Sequence, residues 1–166
     1  MCKNKCFFKK ALDGICRKVI LECMKVYPLI AAILIIVSSG TAWAERMAVT
    51  VPIANIRSGP GTKYDIIWKV EKYHPFLVIK KSGAWYRVRD FERDEGWLHK
   101  SLLSNIKTVI TKKNKCNVRS GPATSYDILF TVEKGIPFKV LKRKENWINV
   151  QHADGDEGWI YKSLIW

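Results

Sequence analysis

From residue 47 onward the chain alternates apolar and polar positions in short runs broken by Gly, Pro, Ser and Asp. This is the period of half-buried strands rather than of helices. Side chains two apart on a strand share a face, so Ile66, Trp68 and Val70 form one apolar row. Phe76, Val78 and Lys80 form a second, and Tyr86 and Val88 a third. The pattern predicts strands over 47–57, 66–70, 76–80, 85–89 and 96–99. Ser58-Gly59-Pro60-Gly61, the segment 71–75 and Ser82-Gly83 are the turns between them, and 100–103 makes one helical turn.

The same order then returns. Asn55-Ile56-Arg57-Ser58-Gly59-Pro60-Gly61-Thr62-Lys63-Tyr64-Asp65-Ile66 reappears, 62 residues on, as Asn117-Val118-Arg119-Ser120-Gly121-Pro122-Ala123-Thr124-Ser125-Tyr126-Asp127-Ile128. Without a gap, Trp85 falls on Trp147, Glu95-Gly96-Trp97 on Glu157-Gly158-Trp159, and Lys100-Ser101-Leu102 on Lys162-Ser163-Leu164. Asp154-Gly155 adds a hairpin turn in the second copy. The matching core row is Ile128, Phe130, Val132, Phe138, Val140, Ile148 and Val150. Solenoid repeats run to roughly 20–50 residues, so each of these longer copies should bury a core of its own. The expected fold is all-β: two tandem small barrels over 45–103 and 109–166, joined by the linker 104–108. Domains of about 60 residues are marginal, so packing between the copies should help. A short connector without Gly or Pro should restrict their mutual orientation.

The first 44 residues have another character. Pro28-Leu29-Ile30-Ala31-Ala32-Ile33-Leu34-Ile35-Ile36-Val37 is an apolar run behind a basic flank, and Thr41-Ala42-Trp43-Ala44 puts small residues where a signal peptidase needs them. This reads as a secretion signal cleaved after Ala44, giving a periplasmic or secreted protein. Left uncleaved, the segment would tether the chain to the inner membrane. Residues 24–44 would make a complete signal from Met24, so 1–23 is an upstream extension or a mis-assigned start. Cys2, Cys6, Cys16 and Cys23 lie in that extension at spacings that fit no common zinc pattern, and Cys116 alone follows the expected cleavage point.

Charge narrows the partner. The chain is formally +14, and residues 45–166 keep 22 Lys and Arg against 13 Asp and Glu, a net +9. In an exported protein that favours anionic envelope surfaces over nucleic acid, although strand-edge lysines also serve solubility and discourage sheet aggregation.

Taken together, and found twice, the Asn-Ile/Val-Arg-Ser-Gly-Pro motif, the aromatic-Asp-Ile segment, the Trp that opens the fourth strand and the Gly-Trp-Leu/Ile before a Ser-Leu turn resemble bacterial SH3-like (SH3b) domains. The resemblance implies a non-catalytic binding module, often for peptidoglycan, with a protein-interaction adaptor or secreted effector as the alternative. In relatives of eukaryotic type a Pro-rich ligand lies against loop aromatics, the strand-opening Trp, and a Tyr and a Pro near the last turn. Trp85 and Trp147 match that Trp, but Leu102 and Leu164 stand for the Tyr, and His99 and Tyr161 for the Pro. Polyproline recognition needs those aromatic ridges, so it is not expected.

The expected ligand surface is therefore Trp85 or Trp147, with Tyr64 or Tyr126 and Asp65 or Asp127 from the long loop. By strand parity each Trp lies opposite Val88 or Val150 and should be at least partly exposed. Arg57 and Arg119 either meet an acidic ligand or fix the loop by a salt bridge. No catalytic residue, metal or cofactor is expected: Cys116 has no base near it in sequence, and His74, His99 and His152 align with Ile136, Tyr161 and Asp90. The acidic run around Asp154 is explained by its hairpin turn. Peptidoglycan or an envelope protein is the expected partner.

Overall fold

The computed structural model describes residues 45–166, so the expected signal segment and the cleavage expected after Ala44 lie outside the described residues. The first repeat comprises β1 (Glu45–Val49), β2 (Ile53–Arg57), β3 (Ile66–Glu71), β4 (Pro75–Ser82), β5 (Trp85–Arg89), β6 (Glu95–His99), a 3₁₀ turn (Lys100–Leu102) and β7 (Leu103–Ser104). The second comprises β8 (Thr108–Ile110), β9 (Cys116–Arg119), β10 (Ile128–Val132), β11 (Pro137–Lys144), β12 (Trp147–Gln151), β13 (Glu157–Tyr161) and a 3₁₀ turn (Lys162–Leu164).

Each repeat is one antiparallel sheet, ordered β3-β2-β6-β5-β4-β1-β7 and β10-β9-β13-β12-β11-β8. The two orders superpose strand for strand. Even the last pairing recurs, since Val49 opposes Leu103 and, 62 residues on, Thr111 opposes Ile165. The sheets have free ends rather than a closed ring of ladder bonds. Even so, each wraps an apolar centre of its own: Ile56, Phe76, Val88 and Leu98 in the first, and Val118, Phe138, Val150 and Ile160 in the second.

The sequence pattern misplaces three features. The continuous strand expected over 47–57 is broken by a bend at Val51-Pro52. Proline has no N–H to give a ladder, and the carbonyl of Pro52 instead accepts from Lys72 N at 3.1 Å. Ile66 and Ile128, expected in the cores, are 46% and 50% exposed. The cause is a bulge in each repeat. Ile56 pairs with Trp68 and Arg57 with Ile66, so Ile67 is extra; Val118 pairs with Phe130 and Arg119 with Ile128, so Leu129 is extra. One extra residue reverses the alternation and turns an apolar pair to solvent. The third feature is Trp147, described with the site below.

The repeats touch directly. Val140 N donates to the carbonyl of Lys107 in the connector at 2.8 Å, extending the β11–β8 ladder, and between the repeats the Arg46 guanidinium lies 3.9 Å from the ring centroid of Trp166. The latter contact contributes about 1 kcal/mol. Lys134 pairs with Glu92 across the same junction; both side chains are nearly half exposed, so this pair contributes about 0.5 kcal/mol or less.

Of the buried polar residues in the second repeat, Thr108, Thr111 and Asn149, one bonds across the turn before β11. Thr111 is fully buried, donates its hydroxyl to the carbonyl of Glu133 at 2.7 Å and accepts from Ile136 N at 2.9 Å. It thereby holds the turn before β11 against β8. The first repeat carries Val49 at this place, so valine fits the local shape. Thr111→Val should nevertheless cost about 2 kcal/mol, because it strands the Ile136 N–H and the Glu133 carbonyl. Urea unfolding of the variant measures the loss, and an unchanged midpoint would refute the role given to the hydroxyl.

Candidate functional site

The recurring motif is explained by its own packing. A Cβ at Gly59 would overlap the ring of Tyr64, and one at Gly121 the ring of Tyr126. Each tyrosine therefore lies flat on a glycine of the turn it closes. Arg57 bridges the loop, donating from Nη1 to the carbonyls of Thr62 at 3.0 Å and Tyr64 at 2.7 Å. Arg119 Nη1 does the same to the carbonyl of Tyr126 at 2.8 Å. The loop is thus held by arginine-to-carbonyl hydrogen bonds rather than by the salt bridge expected. Ser58 N and Ser120 N donate to the main-chain carbonyls of Asp65 and Asp127, both at 3.0 Å, and the two aspartates themselves are exposed.

Against this rigid loop the first repeat forms an open groove of about 240 Å³. It is lined by Ile53, Asn55, Arg57, Thr62, Trp85, His99 and Leu102. The Trp85 indole meets the His99 ring edge to face, centroids 5.3 Å apart, and His99 Nδ1 lies 2.8 Å from Ser101 Oγ. The half-buried indole thus presents apolar surface beside a guanidinium, an amide and a hydroxyl. Such a mixture stacks on planar or sugar-like faces while hydrogen-bonding their polar edges.

Of the expected residues, Arg57 and Trp85 come together in this groove. Tyr64 and Asp65 do not line it, the tyrosine ring being turned onto Gly59. Tyr126 is 47% exposed and lies on Gly121 in the same way. Trp147 departs from expectation outright: it is only 9% exposed, although its strand parity matches that of Trp85. Its partner is Tyr161, packed edge to face at 5.3 Å where the first repeat has the smaller His99. The two repeats therefore present their strand-opening indoles differently. Sequence reading missed Ile53, Asn55 and Thr62, and the only signal for two of them was recurrence as Asn117 and Thr124.

Cys116 belongs to the second core. It is fully buried, its thiol donates to the carbonyl of Lys113 at 3.0 Å, and burial pushes its pKa up, away from the thiolate a nucleophile needs. Among the described residues no three His, Cys, Asp or Glu side chains converge to hold a metal ion.

Two small sheets, each with a motif-braced loop beside a strand-opening Trp, define a tandem module of SH3 type. The family model for the bacterial SH3 domain matches twice, over residues 50–105 and 112–166, and the chain belongs to that family. YrvJ of Bacillus subtilis (strain 168), named as an N-acetylmuramoyl-L-alanine amidase, is 26% identical over 139 residues, which are 77% of this chain and 27% of that protein. LytH of Staphylococcus epidermidis, named as a cell wall amidase, is 40% identical over 52 residues, 31% of this chain and 18% of its own length. The chain thus spans about a quarter or less of these relatives. Among solved structures, NlpC1 from Trichomonas vaginalis is 14% identical with a TM-score of 0.35, covering 77% of this chain and 47% of that one. The endolysin LysPBC5 CBD is likewise 14% identical, with a TM-score of 0.30, covering 74% of this chain and 92% of that one.

Proposed function

We propose that this chain is an exported, non-catalytic binding protein that holds peptidoglycan or its stem peptides in the cell envelope. The observation that carries the reading is the first repeat's open groove, where Trp85 lies beside Arg57, Asn55, Thr62 and His99 against a loop braced by the Arg57 hydrogen bonds. A preordered aromatic and polar surface binds without first losing loop entropy. Family membership supports the reading, as do the relatives named as an N-acetylmuramoyl-L-alanine amidase and a cell wall amidase. The net +9 over residues 45–166 adds attraction to anionic wall polymers, which salt will weaken.

The proposed ligand residues remain Trp85, Arg57, Tyr64 and Asp65 in the first repeat and Trp147, Arg119, Tyr126 and Asp127 in the second, with Trp85 dominant because its indole is the more open. Purified protein incubated with isolated sacculi should sediment with them at low and moderate salt. Trp85→Ala should weaken that association about tenfold or more, as truncation of an interface tryptophan commonly does. Absence of sedimentation at low salt would sink the proposal, and an unchanged affinity for the Trp85 variant would move the site elsewhere.

A further inference from the structure

The carboxylates of this basic protein are not scattered. Of the 13 in residues 45–166, four line one cleft in the first repeat and three line the equivalent cleft in the second. Both clefts lie between the third strand of a repeat and the turn before its last long strand, away from the Trp85 groove. The first, about 440 Å³, has Trp68 and Phe91 against Glu71, Asp90, Glu92 and Asp94. The second, about 340 Å³, has Phe130, Val132 and Phe138 against Glu133, Asp154 and Asp156. Trp68 corresponds to Phe130, Glu71 to Glu133, Glu92 to Asp154 and Asp94 to Asp156.

The chain itself shows what such a cleft accepts. The second repeat's turn Gly135-Ile136-Pro137 forms one wall of the first cleft, and the Lys134 ammonium beside it pairs with Glu92 and lies 5.7 Å from the Phe91 ring centroid. A lysine has thus brought its ammonium to a carboxylate and an aromatic face at once. His74, 8% exposed, also lines the first cleft, whereas Ile136 stands at its place in the second.

The second cleft is lined by residues of the second repeat alone. Asp154 shares a proton-bridged contact with His152 at 2.8 Å, whereas the carboxylates of Asp156 and Glu133 make no hydrogen bond with other described residues. The acidic oxygens are spread around an apolar floor instead of converging on a point, which suits an ammonium on a methylene stem better than a metal ion. We infer that the cleft formed by Phe130, Val132, Phe138, Glu133 and Asp156 binds the side-chain amine of the diamino acid in a wall stem peptide. This rests on the wall-binding reading above and assigns the amine a site distinct from the Trp85 groove.

The test is an amide-resolved NMR titration of the protein with a stem tetrapeptide carrying lysine at its third position, alongside the same peptide with that amine acetylated. The amine peptide should shift the amides of Glu133 and Asp154 to Asp156, and acetylation should lower affinity about tenfold. Asp156→Asn and Glu133→Gln, both at exposed positions, should each lower it several-fold while leaving the rest of the spectrum in place. Equal binding of both peptides, or shifts confined to other surfaces, overturns the inference. Sedimentation with sacculi separates the two proposals. Protein that still sediments but ignores acetylation leaves the wall reading standing without this cleft. Protein that fails to sediment yet shows amine-dependent shifts keeps the cleft and removes the wall.

Discussion

Gly96→Ala is expected to destabilise the first repeat by about 3 kcal/mol or more, and Gly158→Ala the second by a similar amount. The reason is where β2 meets β6. Those strands pair directly only at Arg57 and Trp97, and a Cβ on the neighbouring Gly96 would overlap Ile56 Cγ2 and lie 3.2 Å from the Arg57 carbonyl oxygen. At Gly158 the added carbon would overlap Val118 Cγ1 and lie 3.0 Å from the Arg119 carbonyl oxygen. Ile56 and Val118 are both fully buried, so neither can turn aside without displacing its core. The carbonyl contact compounds this, since relieving it means pulling β2 or β9 off the sheet. A double-mutant cycle with Ile56→Ala checks the account by urea unfolding. Truncating Ile56 alone costs about 2–5 kcal/mol, and Gly96→Ala should cost markedly less in that background. Strict additivity would mean that the side-chain overlap is not the cause.

Those glycines were visible in the sequence as part of a recurring Glu-Gly-Trp, and so was most of the architecture. The duplication announced two cores. Trp85–Arg89 is legible as a strand to the residue, with the Ser82-Gly83 turn just before it. What escaped was set by pairing rather than by composition. The bulges at Ile67 and Leu129 carry no mark of their own, since each depends on how β2 and β9 register against the next strand. Without them parity counting buries Ile66 and Ile128, and with them both face solvent. Trp147 escaped for another reason: its burial depends on Tyr161, a neighbour fourteen residues away that stands where the first repeat has His99. The groove was legible in its tryptophan and arginine but not in Ile53, Asn55 or Thr62, which reach it through the placement of β2 and the loop after it beside β5 and β6. The acidic clefts were invisible, because the run from Asp154 to Glu157 looks like nothing more than a hairpin until β10 is laid beside it.

The protein is expected to lose about 3 kcal/mol of stability as the pH falls from about 7 to about 4, through one side chain. His74 is buried beside Phe76, with ring centroids 4.7 Å apart, and its Nε2 lacks a hydrogen-bond partner among the described residues. Burial lowers its pKa from 6.5 to about 4, and the opposing attraction of Glu92 is too weak to restore it. The sign follows from proton counting. Above pH 6.5 the imidazole is neutral in both states and contributes nothing to pH dependence. Between 6.5 and about 4 the unfolded chain takes up a proton that the folded chain refuses, so stability falls with pH, and below about 4 the loss is complete. Other groups around it act elsewhere or oppositely. Asp90, whose carboxyl is pushed up chiefly by burial, is relieved by protonation as the pH drops. Glu95, held down first by Arg89, and Asp154, held down first by His152, lose their contributions only in the carboxylate range below the upper part of the His74 window. Lys134 keeps Glu92 paired in the folded state, which limits how far that carboxylate can support an imidazolium. The second repeat supplies the control, because it carries Ile136 where the first has His74. Urea unfolding of the wild type and of His74→Ile at pH 7.5, 6, 5 and 4.5 should give a stability difference that shifts steadily in favour of the variant as the pH falls. A difference that stays constant across that series would place the acid sensitivity in another group.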